Sequence, residues 1–119
     1  MSYEPNEGDL IWTDFDPRTG REQGCRRPAL IVSPIAFWQA FRFVIVCPIT
    51  SKIRPFPTSV LLPAGGVVTG EILTHHTCSI DTQARPVIFT NQTVSAETLT
   101  EVRMKLAALI GLNNEPAFS

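Results

Sequence analysis

No apolar run in this 119-residue chain approaches the roughly 18 residues that a membrane-spanning helix needs, so a helical bilayer span is excluded. The opening stretch, MSYEPNEGDL, is acidic and polar and does not read as a secretory signal. No C-x-x-C pair exists. Cys25, Cys47 and Cys78 are far apart and odd in number, so the simplest expectation is reduced thiols in a cytoplasmic protein. Cys47 lies in an apolar run and is expected to pack as a small hydrophobe. Internal repeats, low-complexity stretches and domain boundaries are also missing. One domain over 1–119 is expected, and a chain of this length buries about two-thirds of its unfolded surface without a metal or disulfide staple.

Net charge is small as well, at −1, which alone argues against a nucleic-acid binder. The distribution of charge argues otherwise. Residues 1–16 carry Glu4, Glu7, Asp9, Asp14 and Asp16 and no base. Residues 17–55 carry Arg18, Arg21, Arg26, Arg27, Arg42, Lys52 and Arg54 against a single acid, Glu22, and are locally +6. A field of that sign attracts phosphate even when the whole molecule is close to neutral. The alternative is that these bases pair with the acidic N-terminal stretch or cover a solvated surface.

Short strands are predicted at 8–15, 28–34, 41–50 and 59–63, followed by an extended pair of segments over 67–80 bent at Gly70, and a last strand at 87–90. IAFWQA (35–40) reads as about one helical turn. DPRTGREQGCRR (16–27) reads as a loop of a length that is often functional, and SKIRPFPT (51–58) as a second basic loop interrupted by proline. Residues 95–114 place Leu99, Val102, Leu106, Leu109 and Ile110 at helical spacing, with Ser95 as N-cap, Glu97 in the first turn and Gly111 as a stop. The pattern is mainly β with one C-terminal amphipathic helix packed on a small, strongly bent sheet or partial barrel.

Several blocks in order carry a resemblance. GDLIWTDFDP (8–17), GREQGCRRPALIVSP (20–34), CPITSK (47–52), RPFPTSVLLP (54–63) and GEILTHHTCSID (70–81), with the terminal helix, resemble the MazF/PemK family of toxin endoribonucleases over essentially the whole chain. The first two blocks are the specific ones. The resemblance implies a small SH3-like, CcdB-like partial β-barrel acting as a homodimer. It implies cleavage of single-stranded RNA at short motifs without a metal or other cofactor, and growth inhibition through loss of mRNA. It implies a MazE- or PemI-type antitoxin, with DNA met only through the antitoxin complex.

Such cleavage uses the neighbouring 2′-hydroxyl as nucleophile and leaves 2′,3′-cyclic phosphate and 5′-hydroxyl ends. It needs a proton acceptor, charge to stabilise the phosphoryl oxygens, and protection of the leaving oxygen. Arg27 precedes Pro28 at the start of a strand, and its planar donors suit a phosphate; the family's catalytic arginine matches it. A salt bridge to Asp14 or Asp16 is its alternative use. Thr50 ends the FVIVCPIT strand, where the family's catalytic hydroxyl falls, with Ser51 as the backup. Glu22 is the third expected catalytic residue, as proton acceptor or as a partner that organises Arg27.

Arg18, Arg21 and Arg26 are expected to form a mobile clamp on the RNA backbone, with Arg27 at its rigid end. Lys52 and Arg54 extend the basic surface. Trp12, Phe37, Trp38 and Phe56 are core by default, and Phe56, between prolines and beside Arg54, is the aromatic residue best suited to stack on a base. The family usually has Asp-Gln or Asp-His where this chain has His75-His76, and often a basic residue where Cys78 stands. Adjacent histidines on a strand would face opposite ways and make poor ligands for one metal. One reading has one packed and one exposed; the other brings His76 to bound RNA.

Two further readings compete. A non-catalytic, CcdB-like toxin or binding module would act on a protein target such as DNA gyrase, since fold alone does not fix function. It would not need Arg27 and Thr50 together. A peptide adaptor of SH3 type would want clustered aromatic side chains, and the sequence has one tyrosine, Tyr3.

Overall fold

Strands with apolar residues at every position can bury both faces, and the alternation along β1 to β3 sorts them into two cores. The computed structural model describes residues 2–15 and 26–112. Its elements are β1 (Asp9–Asp14), β2 (Arg26–Ile31), α1 (Ile35–Phe41), β3 (Phe43–Thr50), β4 (Ser59–Leu61), β5 (Glu71–Leu73), a 3-10 turn (Thr74–His76), β6 (Cys78–Asp81), β7 (Val87–Thr93) and α2 (Ala96–Leu109). Leu10, Leu30, Cys47, Ile49, Ile72 and Val102 belong to one buried cluster, packed against Leu99 and Leu106 of α2. Ile11, Ala29, Ile31, Val44, Val46 and Ile80 belong to the other, covered by Trp38 of α1. The period of two along each strand sends neighbours to opposite sides.

The strands form an antiparallel sheet in the order β4-β5-β3-β2-β1-β7, with β6 also paired to β3. It does not close on itself among the described residues. Between β1 and β7 the register shifts at Leu10/Ile11, and Asn91 there adopts a φ of 67°, an irregularity of the kind that bends a strand. The mainly β architecture with a C-terminal helix is as expected.

Three boundaries differ from the sequence expectation. Arg26 and Arg27 lie in β2, not in the preceding loop, because the ladder continues through Asp14↔Arg26 and Thr13↔Arg27. α1 runs two turns, to Phe41, and turns at Arg42 (φ 63°), so β3 starts at Phe43. Arg42 then folds back over the Trp38 ring at 4.3 Å, a cation–π contact.

The third is the largest. His75 and His76 occupy a 3-10 turn and not a strand. β3 pairs with β5 at Ile49↔Ile72 and with β6 at Val46↔Cys78. Three steps along β3 are therefore matched by six along the β5–β6 stretch. The excess residues are looped out as Thr74–His76, and the two imidazoles meet edge to face at 4.5 Å.

α2 is capped by the Ser95 hydroxyl, which accepts from the Thr98 N–H at 3.1 Å. Val102 is fully buried, whereas Ile110 lies beyond the last turn and is exposed, contrary to its expected place on the apolar stripe. The lysine on the next turn, Lys105, donates from Nζ to the Pro57 and Ser59 carbonyls at 2.9 and 2.7 Å. That pair fixes the far end of the 51–58 loop to the helix.

Candidate functional site

Two open cavities meet at the end of β3. The first, about 420 Å³, is lined by Arg26, Arg27, Thr50, Ser51 and Lys52 over a floor that includes Trp12. The second, about 240 Å³, is lined by Thr50, Lys52, Arg54, Phe56, Glu71, Leu73, His75 and His76. Thr50 and Lys52 belong to both, so the two form one groove that turns around the strand end.

Arg27 and Thr50 stand on non-adjacent stretches of sequence and are brought to one cavity because β2 and β3 are hydrogen-bonded neighbours. Arg27 makes no ion pair with a described acid. Its neighbour Arg26 takes that role, with Nε 3.7 Å from the Asp14 carboxylate. Both groups of that pair are well exposed, and a loose surface pair of this kind holds little energy.

Thr50 is oriented locally. Its Oγ1 accepts the Lys52 N–H at 3.1 Å, a two-residue turn closed by the side chain. The hydroxyl proton is left to donate into the groove. The backbone beneath is held just as closely. Gly70 has a φ of +128°, and a Cβ there would lie 2.1 Å from the Thr50 carbonyl oxygen. Only glycine permits this approach of β5 to the end of β3.

Glu71, the next residue, was not singled out by sequence reasoning. It is 3% exposed, and its Oε1 accepts the Arg54 N–H at 3.0 Å. A buried carboxylate costs several kcal/mol unless it is hydrogen-bonded, so its presence on a groove wall is informative. The local signal was a charged residue between Gly70 and an apolar Ile-Leu pair, in a stretch that otherwise alternates toward a core.

His75 is held by Thr58, with Nδ1 and Oγ1 3.2 Å apart, and packs edge-on against Phe56 at 5.0 Å. Phe56 is 49% exposed and is not core. Trp12 is half-buried, against the first cluster on one side and the Arg27 cavity on the other. Phe37 and Trp38 are half-buried on α1, and Trp38 donates Nε1–H to Thr82 Oγ1 at 3.0 Å.

Of the residues selected from sequence, Arg26, Arg27, Thr50, Ser51, Lys52, Arg54, Phe56 and His76 therefore line the groove. Arg42, counted in the +6 segment, is on α1's side and lines neither cavity. Arg18, Arg21 and Glu22 lie outside the described residues. No group of three or more metal-ligating side chains is gathered among the described residues, and none of their helices is long and apolar enough to cross a membrane.

Of the described cysteines, Cys47 is buried and Cys78 half-buried. Burial pushes the Cys47 thiol up to about 11, with its sulfur 3.1 Å from the Thr77 hydroxyl, and burial also raises that of Cys78. They are unsuited to act as nucleophiles.

Known proteins share the fold and much of the sequence of this chain. The chain is 36% identical to the endoribonuclease toxin MazF of Escherichia coli K12 over 109 residues, covering 92% of this chain and 96% of that protein. It matches the crystal structure of MazF from Deinococcus radiodurans with a TM-score of 0.82 and 40% identity, over 92% of this chain and 99% of that one. It also matches a MazE–MazF complex from the same organism, with a TM-score of 0.80 and 36% identity over 92% and 98%. A family model described as the PemK-like, MazF-like toxin of type II toxin–antitoxin systems matches residues 6–110. A groove built at the end of β3 from a strand-end arginine and threonine, on a sheet shared with these relatives, belongs to a member of the PemK-like, MazF-like toxin family of type II toxin–antitoxin systems.

Proposed function

We propose that the chain, a toxin endoribonuclease of its family, cuts single-stranded RNA by attack of a 2′-hydroxyl on the adjacent phosphorus, with the reacting phosphate between Arg27 and Thr50. The new bond joins O2′ to phosphorus and the bond from phosphorus to O5′ breaks. The 2′-hydroxyl proton passes to Glu22, and the leaving oxygen takes a proton from solvent water, to which Glu22 later returns its own, giving a 2′,3′-cyclic phosphate and a 5′-hydroxyl. No metal is required on this route, because the nucleophile already belongs to the substrate and is held beside the phosphorus. DNA lacks the 2′-hydroxyl and is not cut.

The observation that carries the reading is the shared cavity of Arg27 and Thr50. Arg27 supplies a fork of donors to the non-bridging oxygens, where charge grows in the transition state. Thr50, with one lone pair engaged by the Lys52 N–H, donates its proton to the same phosphate. Ser51, Lys52, Arg54 and Arg26, with Arg18 and Arg21, track the flanking phosphates, and Phe56 and His76 meet a base.

The protein acts as a cytoplasmic homodimer and is neutralised by a MazE- or PemI-type antitoxin, whose acidic segment lies along the basic groove. DNA is met only through that complex. The MazF relative from D. radiodurans, crystallised with MazE, supports the antitoxin class.

The test is digestion of a long unstructured RNA in EDTA by the wild type, Arg27→Ala and Thr50→Ala, with the product ends identified. Discrete cuts ending in cyclic phosphate, lost by about 10²–10³-fold in each variant, are expected. Cuts that require added metal, or that leave 5′-phosphates, would sink the mechanism. Intact RNA with retained binding would return the chain to the binding-module reading.

A further inference from the structure

The second cavity carries a feature that phosphate binding does not explain. Its other cavity-lining charges, Lys52 and Arg54, suit RNA, yet its wall includes the carboxylate of Glu71. That side chain is almost wholly buried at the start of β5, paired across from Thr50. One carboxylate oxygen is engaged by the Arg54 N–H. Among the described residues no donor reaches the other oxygen, and no cation lies within ion-pair distance. A buried anion on a phosphate track would repel the backbone. A neutral donor in the cavity would complete the hydrogen bonding of the free oxygen without that repulsion.

We infer that this cavity is a nucleobase subsite, and that Glu71 selects guanine at one position beside the cut. The inference rests on the ribonuclease reading and adds the identity of a base to it. The free oxygen and the remaining lone pair of the one engaged by Arg54 present two acceptors side by side. Guanine is the one RNA base with two adjacent donors, N1–H and N2–H, on its Watson–Crick edge. Adenine and cytosine set one amino donor beside a bare ring nitrogen, which a carboxylate repels. Uracil has a single N3–H flanked by two carbonyls. Readout on this edge is the usual way proteins recognise unpaired RNA bases.

The rest of the cavity suits the ring. Phe56 and His75 are in edge contact at 5.0 Å, and His75 and His76 at 4.5 Å, which offers aromatic surface for stacking. The loop carrying Phe56 is tied down by Lys105 at Pro57 and by Glu71 at Arg54, so the subsite is held from both ends. The 3-10 turn that displaces the histidines from the strand is what brings them to this wall.

The test digests a randomised-sequence RNA pool in EDTA and sequences the new ends, for the wild type and Glu71→Gln. Glutamine keeps an acceptor for the Arg54 N–H and replaces the other oxygen with a donor. The wild-type motif is expected to contain one fixed guanine. In a synthetic oligonucleotide, inosine at that position, which lacks the N2 amino group, is expected to slow cutting about 10- to 100-fold. Glu71→Gln should erase the guanine-to-inosine ratio while leaving the other motif positions and the salt dependence unchanged.

A discrete wild-type motif without a fixed guanine overturns the subsite alone. So does a variant that keeps the wild-type ratio, or a guanine that inosine replaces at full rate. The inosine measurement needs only wild-type protein, so a poorly folded variant does not rescue the idea. No cutting by wild type overturns the ribonuclease reading and the subsite with it.

Discussion

The two cavities that meet at Thr50 share a strand end and Lys52 and differ in what is added to them. One gathers arginine, lysine and hydroxyl groups around open space; the other adds to Lys52 and Arg54 a carboxylate, a phenyl ring and two imidazoles. The first suits a phosphate, which every nucleotide has. The second suits the edge and face of a base, which differs between nucleotides. Contacts to the backbone position a nucleic acid and contacts to base edges specify it. A toxin that must cut at chosen sites needs both, and here one loop, 51–58, serves as the wall between them.

The sharpest break between the two comes from comparing Arg27→Ala with Glu71→Gln. The first is expected to lower the rate by about 10²–10³-fold at every site alike. The second should redistribute cuts among sites with a much smaller change in total rate. A Glu71→Gln protein that loses cutting uniformly would assign the carboxylate to the reacting phosphate and merge the two cavities into one.

Gly70→Ala is expected to damage both at once. The φ of +128° alone costs about 1–3 kcal/mol for a residue with a Cβ, before the clash with the Thr50 carbonyl is counted. Thermal unfolding should show a lowered Tm, and rate and site choice should degrade together. An unchanged Tm would mean that β5 moves freely away from β3.

Neutralising Arg18 and Arg21 together should weaken binding of all single-stranded RNAs similarly. The slope of log affinity against log salt should flatten by about 0.7 per charge removed, with site choice unaffected. An unchanged slope removes the two arginines from the RNA track.

The smallest effect expected is on stability at high pH. Burial raises the Cys47 thiol from 9.0 to about 11 in the folded state. Its contribution to stability is therefore level below pH 9 and falls as pH rises from 9 toward 11. Cys47→Ala should remove that part of the alkaline decline in a denaturation series, though it lowers stability at neutral pH by leaving a small gap in the core.

Much of the fold and of the groove was legible in the residues. The apolar runs specified the strands, the spacing from Leu99 to Leu106 specified α2, and Ser95 its start. The order of blocks from GDLIWTDFDP to GEILTHHTCSID points to the family, and with it to Arg27 and Thr50. Phe56, core by default but singled out as the aromatic residue best suited to stack on a base, is exposed. These features are legible because each is settled within a few residues: a period, a cap, a proline, a charge run.

Tertiary structure decided what depends on distant partners. The seven bases of the +6 segment are neighbours in sequence, yet α1 carries Arg42 away from the groove, and Asp14 engages Arg26 and leaves Arg27 to the cavity. The histidines left their strand because β3 is shared between β5 and β6 with an excess of three residues, a count that no local pattern contains. Glu71 became a groove residue only because Gly70 lets β5 press against Thr50 and the 51–58 loop folds its Arg54 amide onto the carboxylate. The sequence determined which elements form and which family they belong to. The register between strands far apart in the chain determined which charges face one another, since a hydrogen-bonded ladder fixes position to the residue and sequence proximity does not.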